Sequence, residues 1–453
     1  MTTRALLALA TAALAALVLA PAAPATARPL PNILVIVTDD QPKGTLDAMP
    51  KLRQRVVDRG LTFRNGIIPT SLCCPSRASL LTGDHSHTTG VWTNNGDKYG
   101  GWPAFHAGAE SDTLATRLDA VGYHTGLYGK YLNGFKQNAE PGYVPPGWDT
   151  FRTFLGATYY DYQLTGDRKV YGTRPADYST DVVGQLAVDH ITDTPRSTPW
   201  FVVFAPSGPH APFLPAPRHE GTWPLEPASA IGALNEQDVS DKPAWVQDNP
   251  YADEARMRAN LTDQHEALMS VDDWVGNLLD ASDLSNTLVI FLSDNGFMLG
   301  AHRITGKDVP YARSVEVPMY VRWDGVIASG TRTRRVTPQI DLTALIARAA
   351  GLRWRMEGRD PLTTPRTGVV VEQIANGPDG DGIRPHPAYC GWRTPRYLYV
   401  EYDGRRGREF YDYARDPDEL VNVVDDPRYA ELVAEHRSAA REACWPTPPN
   451  FDW

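Results

Sequence analysis

Three apolar runs, at residues 32–38, 200–205 and 288–292, each end abruptly in polar residues. Runs of this length that are rich in β-branched residues are typical of strands buried on both faces of a parallel sheet. Segments between them, at 111–121 and 262–279, carry apolar residues at helical spacing. Strands that alternate with helices predict an α/β fold, in which a large, mostly parallel sheet is flanked by helices.

After about residue 351 the long apolar runs give way to short alternating segments. Residues 396–402 and 408–413 alternate around a turn sequence, which predicts a β-hairpin. Asp426 followed by Pro427 is typical of a helix N-cap and first turn, so we expect a terminal helix that ends near Ala443. The chain therefore divides into a larger domain at 28–350 and a smaller C-terminal α+β subdomain at 351–453, which contains an antiparallel sheet.

Residues 1–27 are distinct from both domains. Arg4 precedes an alanine- and leucine-rich run, and the segment ends in Ala25-Thr26-Ala27. This pattern predicts a secretory signal peptide that is cleaved near Ala27. A membrane anchor is the alternative, but the run is short and no other stretch reaches about 18 uninterrupted apolar residues. We expect a secreted or extracytoplasmic protein without a membrane anchor.

The charge of the chain is mildly acidic, with a net value of −10 from 44 basic and 54 acidic residues. This balance gives no reason to expect a nucleic-acid partner. Arg332, Arg334 and Arg335 form a small basic cluster. We expect this cluster to be an ordinary solvated surface, and contact with an anionic substrate is the alternative.

The four cysteines of an exported protein could form two disulfides. Cys390 and Cys444 lie near the carboxyl end and are natural partners for each other. Cys73 and Cys74 are neighbours and would pair only with strain. The sequence therefore leaves Cys73 available for another role.

Residues 71–83 read Ser-Leu-Cys-Cys-Pro-Ser-Arg-Ala-Ser-Leu-Leu-Thr-Gly. The Cys-x-Pro-Ser-Arg order that starts at Cys73 and leads into a helix-like segment resembles the signature of the type I sulfatases. The alternative is that Cys73 and Cys74 are small buried hydrophobic residues or part of a disulfide. That alternative leaves Pro75, Ser76 and Arg77 unexplained.

The resemblance covers nearly the whole chain after residue 27. Residues 392–397 and 409–419 look like the C-terminal subdomain of sulfatases. Residues 38–41 (Thr-Asp-Asp-Gln), 72–77 and 129–133 (Gly-Lys-Tyr-Leu-Asn) are more similar to N-acetylglucosamine-6-sulfatases and extracellular heparan sulfatases than to arylsulfatases. The resemblance implies an alkaline-phosphatase-like fold, with the larger domain as the catalytic one.

The resemblance also implies a chemistry. Cys73 would be oxidised to formylglycine by a formylglycine-generating maturation enzyme. Its hydrate would act as the nucleophile and pass through a sulfo-enzyme intermediate, which releases sulfate from a sulfated sugar, another glycan or an aryl sulfate. The alternatives are a phosphodiesterase or phosphonate hydrolase of the same superfamily, or a catalytically silent carbohydrate-binding homologue.

Acidic and amide side chains follow two of the apolar runs, Asp39 and Asp40 after the first and Asp294 and Asn295 after the third. Ligands of α/β sheets bind beyond the carboxyl ends of the strands. An oxygen-only ligand set suits Ca²⁺ or Mg²⁺ rather than zinc. Ordinary strand-end turns are the alternative for each pair alone. The resemblance implies one Ca²⁺, rather than Mg²⁺, in contact with the formylglycine at Cys73.

Five further side chains are candidates for catalysis through the same resemblance. Lys130 and Lys307 match lysines that contact the sulfate group, and their charge would stabilise negative oxygen. His210 matches the histidine that protonates the leaving oxygen, and His302 is a second candidate near the metal-binding loop. Arg77 would give a cationic fork to the formylglycine hydrate or to a neighbouring carboxylate.

One position departs from the arylsulfatase pattern. Many arylsulfatases have a histidine two residues after the lysine that corresponds to Lys130, and here this position is Leu132. Asn133 follows, but an amide cannot act as a base at neutral pH. The base that triggers sulfate release stays open.

Overall fold

The computed structural model describes residues 30–96, 98–155, 159–375 and 385–453. The signal peptide predicted at 1–27 lies outside the described residues. The strands are β1 (Asn32–Thr38), β2 (Leu61–Ile67), β3 (His124–Gly129), β4 (Thr150–Thr153), β5 (Tyr162–Gln163), β6 (Val170–Tyr171), β7 (Trp200–Ala205), β8 (Thr287–Ser293), β9 (Met319–Trp323), β10 (Thr331–Pro338), β11 (Val369–Gln373), β12 (Tyr389–Arg393), β13 (Tyr397–Tyr402) and β14 (Arg408–Asp412).

The α-helices are α1 (Pro50–Leu52), α2 (Cys73–Thr82), α3 (Ser86–Thr89), α4 (Gly101–Gly108), α5 (Leu114–Asp119), α6 (Phe135–Asn138), α7 (Ser179–Asp193), α8 (Ala244–Gln247), α9 (Glu254–Ala281), α10 (Ala312–Val315), α11 (Gln339–Ala349) and α12 (Ala430–Ala443). None of these described helices is long and apolar enough to cross a membrane.

The large sheet has eight strands in the order β10-β2-β9-β8-β1-β7-β3-β4. Its neighbouring strands are parallel except where β9 pairs with β2 and with β8. The predicted mostly parallel sheet is therefore confirmed. The first two apolar runs coincide with β1 and β7, and the third lies within β8.

The central strands are apolar throughout because both faces of the sheet are covered. In β1, Ile33, Val35 and Val37 pack into the apolar cluster on one face, whereas Leu34 and Ile36 pack into the cluster on the other. Complete burial of such a side chain stabilises the fold by about 1.5–3 kcal/mol. The sheet is thus a rigid platform, and its strand ends are held in fixed positions.

Both predicted helices are present, with shifted ends. The segment predicted at 111–121 forms the shorter α5, because Thr113 caps the helix and exchanges hydrogen bonds with Thr116. The segment predicted at 262–279 lies inside the longer α9, whose first turn is capped by Asp253. Capping residues, rather than apolar spacing, set the first turn of each helix.

The C-terminal region contains the predicted antiparallel sheet, in the order β11-β12-β13-β14, and β13 and β14 form the predicted hairpin. Asp426 caps a short 3₁₀ turn, Pro427–Tyr429, and α12 continues from it. A disulfide joins Cys390 of β12 to Cys444 after α12. Apolar residues of β11 to β14 share a cluster with Ile67, Val309 and Tyr311, so this region packs against the large sheet at the end of β2.

His302, the second histidine candidate, is buried, and its ion pairs are with Glu236 and Glu419 rather than with Asp39, Asp40 or Asp294. Its Nδ1 lies 2.6 Å from Glu236 Oε2, and its Nε2 lies 3.9 Å from Glu419 Oε2. The ring packs against Tyr311 with centroids 4.5 Å apart. His302 therefore connects its own loop to the segment after β7 and to the C-terminal region.

The surroundings of His302 predict a pH-dependent stability. Burial lowers its pKa, but the hydrogen bond to Glu236 and the negative charge of Glu419 outweigh burial and raise the pKa to about 9. Since an unfolded histidine titrates near about 6.5, the stabilising contribution is complete below that pH and is lost as the pH rises towards the folded-state value. We expect His302→Gln to remove about 3 kcal/mol of this pH-dependent free energy of unfolding.

Urea denaturation of the wild type and His302→Gln at a series of pH values measures the effect. The difference in free energy of unfolding should be largest below about pH 6.5 and should shrink as the pH approaches 9. His106→Gln removes a half-exposed histidine that pairs with Glu110 and is the matched control. Parallel pH profiles for the wild type and His302→Gln would contradict the assignment.

Candidate active site

The acidic residues that follow β1 and β8 meet at one edge of the large sheet. These two strands are parallel neighbours, and their last residues, Thr38 and Ser293, are in register. The amide of Asp294 donates to Thr38 O at 3.0 Å, and the amide of Asp40 donates to Asp294 Oδ1 at 3.1 Å. The predicted convergence of these residues follows from the parallel pairing.

Cys73 lies beside these carboxylates, at the first residue of α2. Its Sγ is 3.6 Å from Asp39 Oδ1 and 4.0 Å from Asp40 Oδ1. The side chain is completely buried. Burial raises the pKa of the Cys73 thiol well above its ordinary value. An unmodified thiol is therefore protonated and a weak nucleophile at neutral pH in this environment.

Each of the three carboxylates pairs with one cation from another part of the chain. Lys130 Nζ lies 2.5 Å from Asp39 Oδ2, and Arg77 Nε donates to Asp294 Oδ2 at 2.8 Å. Lys307 Nζ contacts Asp40 and also lies 3.0 Å from Cys73 Sγ. The structure thus places both predicted lysines and the predicted arginine in the cluster. Arg77 pairs with a carboxylate, which is one of its two expected roles.

The electrostatics of the cluster reflect burial and pairing together. Burial by itself raises the pKa of Asp39, but the surrounding cations, Lys130 first, bring that pKa well below its ordinary value. Burial lowers the pKa of Lys130, but Asp39 outweighs burial and raises it. Both groups are therefore charged at neutral pH. Burial raises the pKa of Asp294, and the negative charge of Asp39 raises it further because the two carboxylates repel each other.

His210 reaches the same cluster from the segment after β7. Its Nε2 lies 3.6 Å from Asp40 Oδ2, and the side chain is 18% exposed. Its Nδ1 lies 2.7 Å from Ala211 O, and the hydroxyl of Tyr159 donates to His210 O at 2.7 Å. These contacts fix the backbone and the ring. His210 is therefore a partly accessible titratable group at the mouth of the cluster.

The carboxylate and amide oxygens of the cluster fit a hard divalent cation. Asp39, Asp40, Cys73 and His210 each offer one ligand atom, and these atoms all lie within 4.8 Å of one another. Asn295 Nδ2 donates to Asp40 Oδ1 at 2.7 Å. Its Oδ1 is buried and receives no hydrogen bond from any of the described residues. A buried oxygen without a donor beside clustered carboxylates is what a calcium or magnesium ligand requires.

One neighbour of the cluster was not found from the sequence. Asn94 Oδ1 accepts a hydrogen bond from the amide of Cys74 at 3.0 Å, and no pattern in the sequence distinguishes Asn94. Asn133, which the sequence did single out, lies beside the same cysteine, with its amide 2.9 Å from Cys74 Sγ. Leu132 is buried in the apolar cluster on this face of the sheet and offers no proton acceptor.

Comparison with known proteins places this arrangement in a family. The family model described as "Sulfatase" matches residues 31–352. Human N-acetylglucosamine-6-sulfatase is 27% identical over 452 residues, which cover 87% of this chain and 81% of that protein. The Drosophila melanogaster extracellular sulfatase SULF-1 homolog is 31% identical over 371 residues, which cover 77% of this chain but only 32% of that protein.

Solved structures share the fold. One enzyme, solved in complex with its substrate D-glucosamine-2-N,6-O-disulfate, superimposes with a TM-score of 0.71 at 20% identity, over 92% of this chain and 98% of its own. The phosphonate monoester hydrolase of Agrobacterium radiobacter superimposes with a TM-score of 0.71 at 19% identity. The match covers 92% of this chain and 96% of that protein. The fold is therefore alkaline-phosphatase-like, and the chain belongs to the sulfatase family.

Proposed function

We propose that this protein is a secreted, calcium-dependent sulfatase that hydrolyses the sulfate ester of a sugar or an aryl alcohol, after maturation of Cys73 to formylglycine. The observation that carries the proposal is the position of Cys73. It lies at the start of α2, 3.0 Å from Lys307 Nζ and within 4.0 Å of two carboxylates. Its raised thiol pKa argues against direct attack by cysteine.

Two groups would complete this site. Asp39, Asp40, Asp294 and Asn295 would hold the calcium ion with oxygen ligands. The bound ion supplies positive charge for sulfate oxygens, and the formylglycine hydrate supplies a hydroxyl nucleophile at position 73. Production of the formylglycine requires a maturation enzyme in the host.

The charges of the chain's own residues suit a sulfate ester. The three carboxylates are balanced by Lys130, Lys307 and Arg77 in close pairs. A divalent cation therefore leaves the site with an excess of positive charge, which attracts an anionic sulfate group. The ammonium groups of Lys130 and Lys307 are already held in place, so they can stabilise charge on sulfate oxygens without reorganisation.

His210 is the proton donor to the leaving oxygen in this proposal. A carbonyl can only accept, so the contact with Ala211 O assigns a proton to Nδ1. Nε2 is then the nitrogen that gains and loses a proton, and it points towards Asp40. This fixed arrangement presents Nε2 as the atom that donates a proton to the leaving oxygen.

The proton acceptor for sulfate release must be a group other than residue 132. Leu132 carries no base, and its side chain packs in the core. Among the described residues, the carboxylate oxygen nearest to Cys73 Sγ is Asp39 Oδ1, at 3.6 Å. Asp39 is paired with Lys130 and is a proposed calcium ligand, so it is a weak base, and the proton acceptor stays unassigned.

The relatives suggest a substrate class. N-acetylglucosamine-6-sulfatase is the name of the human relative, and the structural neighbour was solved with a disulfated glucosamine. We therefore propose a sulfated amino sugar, free or within a glycan. The likeness to a phosphonate monoester hydrolase keeps phosphonate or phosphodiester hydrolysis as the second candidate.

The first prediction from this proposal concerns the two cysteines of the motif. Cys73→Ala should lower kcat/KM for an aryl sulfate by at least about a thousandfold, because the nucleophile is lost. Cys74→Ala is the matched control and should retain activity. Mass spectrometry of the peptide that contains residue 73 should detect formylglycine in the active wild type.

Three results would overturn the proposal. Full activity of Cys73→Ala, or an unmodified thiol in all active material, would exclude the formylglycine mechanism. A strong preference of the wild type for an aryl phosphodiester over an aryl sulfate would instead favour the second candidate.

The second prediction concerns the leaving group. His210→Gln should lower kcat/KM for a sugar 6-sulfate by about 10²–10⁴-fold, because an alkoxide needs a proton as it leaves. The loss for a nitrophenyl sulfate should be less than about tenfold, because that leaving group is stable as an anion. His219→Gln removes a histidine that pairs with Asp273 and is the control. Equal losses on the two substrates would contradict the assignment of His210.

A further inference from the structure

Strand β10 forms one edge of the large sheet, beside β2. Arg332, Arg334 and Arg335 of this strand are all exposed. Charged side chains on an open strand edge prevent pairing with another chain, and this protection is their ordinary explanation. The local geometry of the edge gives the arginines a second role.

The pairing of β10 with β2 is interrupted by a bulge. The paired residues on its two sides are Thr333 with Phe63 and Val336 with Asn65. Arg334 and Arg335 therefore lie opposite a single residue, Arg64. Both consecutive arginines at the bulge are exposed. Arg64 is exposed as well, and we call these three residues the arginine bulge.

The arginine bulge has no acidic partners. Among the described residues, no carboxylate lies within 4.0 Å of its three guanidinium groups. Arg174, Arg408 and Arg428 are exposed elsewhere, and each pairs with an aspartate. Three arginines without acidic partners thus lie at adjacent positions of two paired strands and form a local positive surface, although the chain as a whole has a net charge of −10.

The positive surface extends along β10 rather than towards Lys43. Lys43 Nζ donates to Arg64 O at 2.8 Å, but it also pairs with Glu316 Oε2 at 2.5 Å and therefore adds no unpaired charge. Arg332 lies on the same strand edge, roughly 7–10 Å from the bulge at the usual rise of a strand. A row of cations with this spacing suits a linear chain of anionic groups better than a single ion.

We propose that the arginine bulge is a second anion site, which binds sulfate groups of a sulfated polysaccharide. Guanidinium groups bind oxyanions through paired, charge-assisted hydrogen bonds. Stacking platforms for nucleic-acid bases are missing from β2 and β10, since the one aromatic residue there, Phe63, is buried. The choice of a sulfated polymer rests on the proposed function, whereas the existence of an anion site does not.

The test compares two variants of equal net charge. R64Q/R334Q/R335Q removes the arginine bulge, and R174Q/R408Q/R428Q removes three exposed, ion-paired arginines. Binding of a fluorescein-labelled heparin octasaccharide is followed by anisotropy at several salt concentrations. The bulge variant should bind at least about tenfold more weakly and with a smaller salt dependence, because fewer counterions are released. The control variant should bind like the wild type.

Activity on a small aryl sulfate separates this inference from the proposed function. The bulge variant should retain the wild-type kcat/KM, because the contacts of Cys73 Sγ are with Asp39, Asp40 and Lys307 and not with the arginine bulge. A protein that binds the octasaccharide through the bulge but hydrolyses no sulfate ester would uphold the anion site and overturn the proposed function. Matching thermal unfolding of the three proteins shows that the substitutions leave the fold intact.

Other outcomes would contradict the inference. Equal weakening in both variants would mean that net charge, rather than the bulge, governs binding. Inorganic sulfate that competes as well as the octasaccharide, at equal sulfate concentration, would exclude recognition of a polymer. A DNA oligonucleotide of matched size is the last competitor. If it binds more tightly than the octasaccharide, and if this binding is lost in the bulge variant, the surface is a nucleic-acid site.

Discussion

The structure depends on the placement of three buried carboxylates at one edge of the large sheet. Asp39, Asp40 and Asp294 are almost completely inaccessible, and each meets one buried or nearly buried cation. Removing ions from water costs several kcal/mol each, which pairing offsets only in part. A core of apolar residues would serve stability at least as well. The ionic cluster is therefore explained by function.

The rest of the fold holds this cluster in place. β1 and β8 position the carboxylates because they are parallel and in register. The helix α2 brings Arg77 and Cys73, and Lys130 follows β3. Lys307 comes from a loop that the contacts of His302 tie to Glu236 and Glu419. Five separate parts of the chain thus converge, so the geometry exists only in the folded protein.

The features that could be predicted were those with a local physical cause. Runs that are buried on both faces must be apolar, so β1 and β7 were identified from the sequence with their observed ends. Parallel strands end at a common edge, which predicted that Asp39, Asp40, Asp294 and Asn295 would meet. The antiparallel strand β9 was not anticipated, because the direction of a strand leaves little trace in its own residues.

Long-range contacts account for what the sequence did not reveal. The loop of His302 suggested catalysis, but Glu236, which pairs with it, is 66 positions away and carries no motif. Asn94 reaches the amide of Cys74 from a loop with no regular pattern. The bulge that gathers Arg64, Arg334 and Arg335 depends on a register shift between two strands distant in sequence. The sequence showed only a cluster of charges there.

The central claim is that the buried carboxylates and Asn295 form a calcium site beside Cys73. The most direct test is isothermal titration calorimetry, in which calcium is added to the chelator-treated wild type and to the chelator-treated Asn295→Leu variant. The account predicts one bound calcium ion per wild-type chain and a marked loss of affinity in Asn295→Leu, whose side chain lacks the unpaired oxygen. No calcium binding by the wild type, or equal affinity in the two proteins, would contradict it.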